Sequence, residues 1–386
     1  MPYIYDMCHG YIPFDDKETI FLDNQWVKRL KRIKQLGLLE HVFPSASHSR
    51  FEHSLGVSYI GENYVDVLIR NSGKPHYYQS NYKFCVKMAG LFHDLGHGPF
   101  SHVFDNVVIK DPSNCHEMRS RRIVEEIFRE VGTSTNFSSA YMIDYIKEMI
   151  EPVSNAYSDN PFFDIVNNTK NSIDVDKFDY LQRDPRHIGL DCSFDPSRII
   201  NKSFLEGSQI IYSKSVSNNI VNMFQTRYRF HKEIYNHKTV KLIELMLGDA
   251  LLSANDHFNF GEVSKTAEFK TLDDSIYSKI LNSDTNDLRT SKEILRRIEK
   301  RDLYKQLWIG NFSEDTQIKD YIADQYSDTR EEDIKYVKMK HNYCNGIESP
   351  LKNVQFKENE TQDEFSDLNS RYEENMVMIY SVSNTT

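Results

Sequence analysis

The chain predicts a mainly α-helical fold with a small α+β lobe toward its C-terminal end. Three observations carry this: apolar residues recur at helical spacing through most of residues 20–300, period-two runs appear only past about residue 310, and 386 residues suffice for one large core and a modest second one. From Asp23, the residues Trp26, Leu30, Ile33 and Leu36 follow a helical repeat, with Asp23 as the expected N-cap and Gly37 as the stop. Residues 51–70 continue on Phe51, Leu55, Tyr59, Tyr64, Val67 and Leu68 until Asn71, Ser72 and Gly73 break the pattern. A further apolar helix is expected over 82–95, ended by Gly96, and an amphipathic one over 116–130 on Ile123, Val124, Ile127 and Phe128. Residues 218–254 read as one long helix or two, with no Gly before Gly248 and no Pro. Past 310, residues 334–339 alternate as a half-buried strand does, and 354–356 and 376–380 are shorter strand candidates. Residues 357–375 hold seven acids and two bases, which reads as a solvated loop or helix. The domain boundary is placed near 310, with an α-rich core at 1–310 and the α+β lobe at 311–386.

Composition narrows the function. Apolar residues make up 39% and charged residues 27%, and the aromatic fraction of 12% is too high for a disordered chain. No apolar run approaches the roughly 20 residues that span a bilayer, so no membrane partner is expected. The opening MPYIYDMCHG lacks a basic stretch followed by an apolar one, so it is not read as a signal peptide. Five cysteines (Cys8, Cys85, Cys115, Cys192 and Cys344) are scattered without CxxC pairing, which argues against a disulfide framework or a thiolate zinc site. An intracellular location, cytoplasmic or nuclear, is expected. The net charge of −10 disfavours a basic domain that coats nucleic acid, so an anionic substrate would need positive charge gathered locally. Lys28, Arg29, Lys31, Arg32 and Lys34 offer such a gathering, though a solvated helix face is the ordinary reading of such a run.

Histidine carries the sharpest signal. Eight of the 14 fall between 41 and 116, and one segment runs Leu91-Phe92-His93-Asp94-Leu95-Gly96-His97-Gly98-Pro99-Phe100-Ser101-His102. An apolar helix leading into four titratable groups is costly unless they have partners. Neutral imidazole with carboxylate suits Zn, Fe, Mn or Ni. His53 is the best upstream candidate for a further ligand and Asp176 the best downstream carboxylate.

These blocks, together with Ile33-Lys34-Gln35-Leu36-Gly37, Phe43-Pro44-Ser45-Ala46-Ser47-His48, Arg50-Phe51-Glu52-His53-Ser54-Leu55-Gly56-Val57 and Ile173-Asp174-Val175-Asp176-Lys177-Phe178-Asp179-Tyr180, resemble the HD-domain deoxynucleoside triphosphate triphosphohydrolases of the type that carries a SAM domain before its HD domain. The resemblance is dense over residues 5–305 and loose beyond. It implies an HD helical core, here expected to open the chain directly with no SAM domain before it. It implies metal ligands at His53, His93, Asp94 and Asp176, and places His97, His102, Asp105 and His116 around the reacting phosphate. It puts Gln35, Leu36 and Arg50 near base, sugar and phosphates, and Lys177, Tyr180 and Asp184 on the phosphates and the sugar 3′-hydroxyl. Arg227, His231 and Tyr235 would close over the triphosphate and the deoxyribose. The implied partners are a dNTP substrate with Mg, an activating nucleotide (GTP or dGTP) and further copies of the chain in a dimer or tetramer.

For the activator, the resemblance points to Asp23, Lys28 and Lys31, and to Arg198 and Asn219. Ser213 and Ser215 stand where the family has basic residues, and Pro2 or Tyr3 where another basic residue is expected. Catalysis is therefore expected intact and family-type allostery altered. Two other readings stay open: an HD phosphohydrolase for another nucleotide phosphoester, and a nucleotide or single-stranded nucleic-acid binding module, the less favoured one.

Overall fold

A computed structural model describes residues 2–73, 79–132, 140–191, 194–312, 314–357 and 372–383. The chain divides into two compact units: residues 1–226, 258–276 and 351–363 form the first, and 227–257, 277–350 and 364–386 the second. The boundary expected near 310 falls inside the second unit. Among the described residues, no helix is long and apolar enough to cross a membrane.

The first unit opens with an antiparallel hairpin of β1 (Tyr3–Asp6) and β2 (Gly10–Pro13), then short helices α1 (Thr19–Leu22) and α2 (Gln25–Arg29). The helix expected to run from Asp23 to Gly37 is shorter. Asn24 caps it through its side chain, Asp23 is the C-cap of α1, and a 3-10 turn at Leu30–Arg32 ends it. Its end is tertiary in origin: residues 33–35 pair with 48–50 instead, through Arg50 N–H to Ile33 O and Gln35 N–H to His48 O, both 2.9 Å. The basic run on this segment is not a free patch. Arg29 is fully buried, Lys28 pairs with Asp23, Arg32 with Asp273 and Lys34 with Glu40, and Lys31 lies over the Phe51 ring.

Helix α3 (Arg50–Ser72) starts at a capping box of Ser49 and Glu52 and ends at Gly73 in the left-handed conformation, φ +61°. Against it packs α4 (Gln79–Phe92), held close by Gly90, where a Cβ would come within 2.8 Å of the Ser58 backbone. Helices α5 (His116–Gly132) and α6 (Ala140–Ile150) follow, and α5 buries Ile123, Val124, Ile127 and Phe128 as the periodicity requires. Helix α7 (Val175–Ile188) is capped by the Asp174 side chain and also packs on α3. Beyond it come α8 (Ser197–Asn201), the hairpin β3 (Ser203–Glu206) and β4 (Gln209–Tyr212), and α9 (Ser217–Phe230). Of the strand expected at 354–356, a single parallel bridge forms, Phe356 to Tyr212.

The long 218–254 stretch resolves into two helices. A π-helical turn at His231–Tyr235 follows α9, and α10 (Lys238–Ser253) packs against the helix Arg289–Glu299 of the second unit. That unit also holds an antiparallel sheet in the order β5-β7-β6, from β5 (Lys305–Gly310), β6 (Ile334–Asn342) and β7 (Glu373–Ser381). Ile334, Val377 and Ile379 join Ile318 of the helix Asp315–Gln325 in its core. Most of the acidic stretch at 357–375 lies outside the described residues, as does Cys192; residues 373–375 begin β7.

Candidate active site

Helices α3, α4 and α7 bring the predicted ligands to one point. His53 sits in the first turn of α3, and Asp176 follows the Asp174 cap of α7. Helix α4 stops at Phe92, so His93 and Asp94 occupy the turn beyond it. His53 Nε2 lies 3.2 Å from His93 Nε2 and 3.0 Å from Asp176 Oδ1, and His93 Nε2 is 3.6 Å from the same oxygen.

The far side of each ring decides where the protons are. His53 Nδ1 is 2.8 Å from Asp179 Oδ2, and His93 Nδ1 is 2.8 Å from the Gly90 carbonyl oxygen. Carboxylate and carbonyl only accept, so each Nδ1 carries the hydrogen, and in the neutral rings each Nε2 presents a lone pair inward. Two nitrogen lone pairs and a carboxylate oxygen facing one another repel unless a cation sits among them. Asp94 adds a fourth donor, with Oδ1 3.4 Å from His93 Nε2. Two imidazoles and two carboxylates with their protons turned outward fit a borderline or hard divalent ion.

The electrostatics agree. Burial pushes the His53 imidazole down, but hydrogen bonds to Asp176 and Asp179 outweigh it and carry it up to about 10. Burial likewise opposes, and Asp94 and Asp176 overcome, a rise at His93. Asp176 and Asp94 are held well below the usual carboxylate range against their own burial, Asp176 by His53 and His93, Asp94 by Arg50 first and His93 next. This point of the fold demands positive charge.

A second histidine group adjoins the first. Asp94 Oδ1 is 3.3 Å from His97 Nε2, and the His97 ring stacks on His116 at 3.8 Å between centroids. His102 stands edge-on to both, at 5.5 and 5.9 Å. His116 faces a carboxylate with each nitrogen: Nδ1 is 3.0 Å from Asp105 Oδ2, and Nε2 is 3.1 Å from Glu117 Oε1. The other Asp105 oxygen takes Arg119. Burial pushes His97 well below its ordinary value, with Arg50 and His116 adding to it, and His102, at the solvent-exposed edge of the group, is lowered in the same direction by desolvation, His116 and Arg50. The two groups meet at Arg50, which donates to Asp94 and, through Nε, to Ser101 Oγ at 2.8 Å.

Two buried arginines hold the turn that carries these histidines. Arg29 donates to the carbonyls of Leu95 (3.1 Å) and His97 (2.7 Å), and Arg119 donates to Gly96 O at 2.7 Å. Asp274 clamps the neighbouring loops by accepting the N–H groups of Lys34 (2.9 Å) and Phe100 (2.7 Å).

The remaining predicted residues fall as follows. Asp184 is buried with Oδ1 2.9 Å from His48 Nε2, Lys177 Nζ donates to Asp174 at 2.7 Å, and the Tyr180 ring centroid is 6.5 Å from that of His53. The Gln35 Oε1 atom is buried with no hydrogen-bond partner among the described residues, and Leu36 is half-buried beside it in sequence. Arg227, His231 and Tyr235 belong to the second unit, where Arg227 donates to Asn342 O at 2.9 Å and His231 lies edge-on to Tyr235 at 5.1 Å. Asp23, Lys28 and Lys31 are surface residues, and Arg198 donates to the Ser215 carbonyl at 3.2 Å. Asn219 is half-buried on α9, and the hydroxyls of Ser213 and Ser215 are 2.9 Å apart. The sequence reading missed His48, Asp179, Arg29, Arg119 and Asp274. Only Asp179 left a signal, standing three residues after Asp176 and four before Arg183 on one helix.

A helical core presenting His53, the His93-Asp94 pair and Asp176 around one point defines an HD-domain protein. The HD domain family matches residues 50–184, and the HD associated region matches 194–336. The deoxynucleoside triphosphate triphosphohydrolase SAMHD1 homolog of Dictyostelium discoideum is 34% identical over 364 residues, covering 92% of this chain and 70% of that protein. The deoxynucleoside triphosphate triphosphohydrolases SAMHD1 of Homo sapiens and Bos taurus are each 34% identical, over 356 and 345 residues. Those alignments take in 83% and 79% of this chain but only 56% and 58% of the longer mammalian proteins. The chain belongs to the HD-domain family of SAMHD1-type deoxynucleoside triphosphate triphosphohydrolases.

Proposed function

We propose that this chain is a metal-dependent dNTP triphosphohydrolase that releases a deoxynucleoside and inorganic triphosphate. The observation that carries the reading is the pairing of a cation-demanding centre (His53, His93, Asp94, Asp176) with an adjoining cluster of three histidines, His97, His102 and His116, of which His97 is buried and lowered. The relatives are named for this activity, which supports it.

A divalent ion at His53, His93, Asp94 and Asp176 supplies Lewis acidity toward a phosphoryl oxygen. Arg50 and Lys177 bring cationic donors to a polyanion that the net charge of −10 would otherwise repel. Water adds at the α-phosphorus and gives up one proton to solvent, the bond to the 5′-oxygen breaks, and the leaving oxygen takes a proton from the His97, His102 and His116 group, which solvent then restores. A bound polyanion favours imidazolium, so His97, kept neutral by burial, gains a proton as the phosphates arrive. Asp105 orients the His116 ring. Gln35 and Leu36 are assigned to the base, Tyr180 and Asp184 to the sugar, and, from the resemblance, Arg227, His231 and Tyr235 to phosphates and sugar. Mg accompanies the nucleotide.

The test is incubation with dGTP, with and without a chelator, followed by anion-exchange analysis of the products. Release of inorganic triphosphate that stops on chelation is the expected result. Stepwise release of monophosphate would transfer the chain to another phosphoester class. Turnover of GTP equal to that of dGTP would remove the sugar assignments of Tyr180 and Tyr235. For regulation, the substitutions at Ser213 and Ser215 favour turnover of dTTP with no guanine nucleotide present, by an oligomer of constant size. Silence until GTP is added would restore family-type activation through Asp23, Lys28, Lys31, Arg198 and Asn219.

A further inference from the structure

The N-terminal hairpin reaches the metal-type centre through an unbroken chain of buried contacts. Asp179 accepts from His53 Nδ1 (2.8 Å), from His9 Nε2 (2.6 Å), and from Arg183 through Nε (2.8 Å) and Nη2 (3.0 Å). A carboxylate has about four lone-pair sites, so Asp179 is saturated. Arg183 continues to Asp6 at the end of β1, with Nη1 2.8 Å from Oδ2 and Nη2 3.2 Å from Oδ1. Asp6 Oδ1 in turn accepts the N–H groups of Cys8 (2.8 Å) and His9 (2.9 Å), which shapes the turn that presents His9. The side chains of Asp179, Arg183, Asp6 and His9 are no more than 9% exposed.

Two further observations separate this from ordinary packing. Gly56 on α3 leaves room for the network, since a Cβ there would run into Asp179 Oδ1 and Arg183 Nη2. The two ligand imidazoles are also treated unequally: His93 is steadied by the Gly90 carbonyl of the helix that leads into it, whereas His53 depends on a carboxylate whose other partners include the hairpin.

We propose that the β1–β2 hairpin is a working part of the metal centre: Asp6, His9 and Arg183 hold Asp179, and Asp179 holds the ring orientation and tautomer of His53. These are positioning residues, and the inference rests on the reading of His53, His93, Asp94 and Asp176 as ligands. Arg183 is shared between two carboxylates, so negative charge remains behind the His53 ring and makes its Nε2 a stronger donor. The hairpin is held to the helical core by the same contacts, so loss of its grip would be felt first at His53.

The experiment uses the full chain stripped of metal and titrated with cobalt(II) alone, followed by visible absorption. His9→Phe removes the donor while keeping a ring of similar shape, His9→Gln returns an N–H, and Gly56→Ala crowds Asp179 from the other side. Tyr5→Ser, on the exposed face of the same hairpin, is the control. We expect His9→Phe and Gly56→Ala to bind cobalt about 10–100-fold more weakly with an altered visible band, as loss of an outer partner does. His9→Gln should recover most of the affinity, and Tyr5→Ser should match the unaltered protein. Cobalt affinity within about twofold of the unaltered protein in both His9→Phe and Gly56→Ala would overturn the proposal. Should His9→Phe not fold, Gly56→Ala and His9→Gln decide it by the same readout. If the unaltered chain and His93→Ala bind cobalt equally weakly, the ligand reading itself has failed, which is a different result.

Discussion

Ten residues, 93–102, contribute to two histidine groups with opposite electrostatics. At the ligand half, His53 and His93 are surrounded by Asp94, Asp176 and Asp179, and both imidazoles are raised. At the proton half, His97 is lowered by burial, by Arg50 and by His116, and His102, open to solvent, is lowered in the same direction. His53, His93 and His97 are all nearly shut off from solvent, so the difference among these three comes from which charges share the pocket. Asp176 and Asp179 reach in from α7 on one side, and Arg50 and a third imidazole crowd the other, where Asp105 and Glu117 face His116. The lesson is that one half is built to keep a cation and the other to stay uncharged until an anion arrives.

The largest effect expected from breaking this contrast is on the ligand half. His93→Ala or Asp176→Ala should release the metal and take hydrolysis to background, because a site with one donor fewer leaves its remaining lone pairs and carboxylates uncompensated. Elemental analysis is the check, and a full metal complement in either variant would remove that residue from the ligand set.

His102→Ala should behave differently. It should cost about 10²–10⁴ in kcat, the usual worth of a positioned proton donor, with metal content unchanged. Metal lost together with activity would show that the two halves are one unit and the contrast is wrong.

A third test concerns the clamp on the proton half. Burial pushes the Asp274 carboxyl up to about 6 from its ordinary 3.8, despite hydrogen bonds from the Lys34 and Phe100 N–H groups. The folded state therefore binds a proton between pH 4 and 6 that the unfolded state has already lost. Stability from this group is present below pH 4 and lost as pH rises through 6, by about 3 kcal/mol. Urea unfolding of the unaltered chain and of Asp274→Asn over that window measures the difference between the two slopes. Parallel curves would show that Asp274 does not titrate there.

The smallest effect lies at the seam. Ser101→Ala removes the acceptor for Arg50 Nε but leaves Asp94, so Arg50 stays tethered on one side. A hydrogen bond to a charged group is worth about 1.5–3 kcal/mol, so kcat/KM should fall about tenfold at the lower end, again with metal retained. A change smaller than the scatter of the assay would place Arg50's orientation with Asp94 alone.

Local pattern was legible where local energetics decide. The stop at Asn71-Ser72-Gly73 was read correctly because Gly73 pays little for a left-handed φ. The amphipathic face of α5 and the alternation in β6 were legible for the same kind of reason. The helix expected through Leu36 was not, because residues 33–35 gain more by bridging to 48–50 than by extending α2, and that partner lies outside any helical window. The hairpins β1–β2 and β3–β4 are too short, at four residues a strand, for period-two alternation to stand out.

By itself, the amino-acid sequence determined the chemistry of the centre: which imidazoles and carboxylates are present, and that His93 and Asp94 end an apolar helix. Only the tertiary structure decided how they are used. It turned the Nδ1 protons of His53 and His93 outward, through Asp179 and Gly90, and buried Arg29 beneath the 95–97 turn instead of leaving it on a basic face. It also joined Asp6 to Arg183 across 177 residues. Residue types and short-range spacing are written along the chain. Proton placement, burial and charge balance depend on groups that come within 3 Å only after the helices pack, and no local pattern records them.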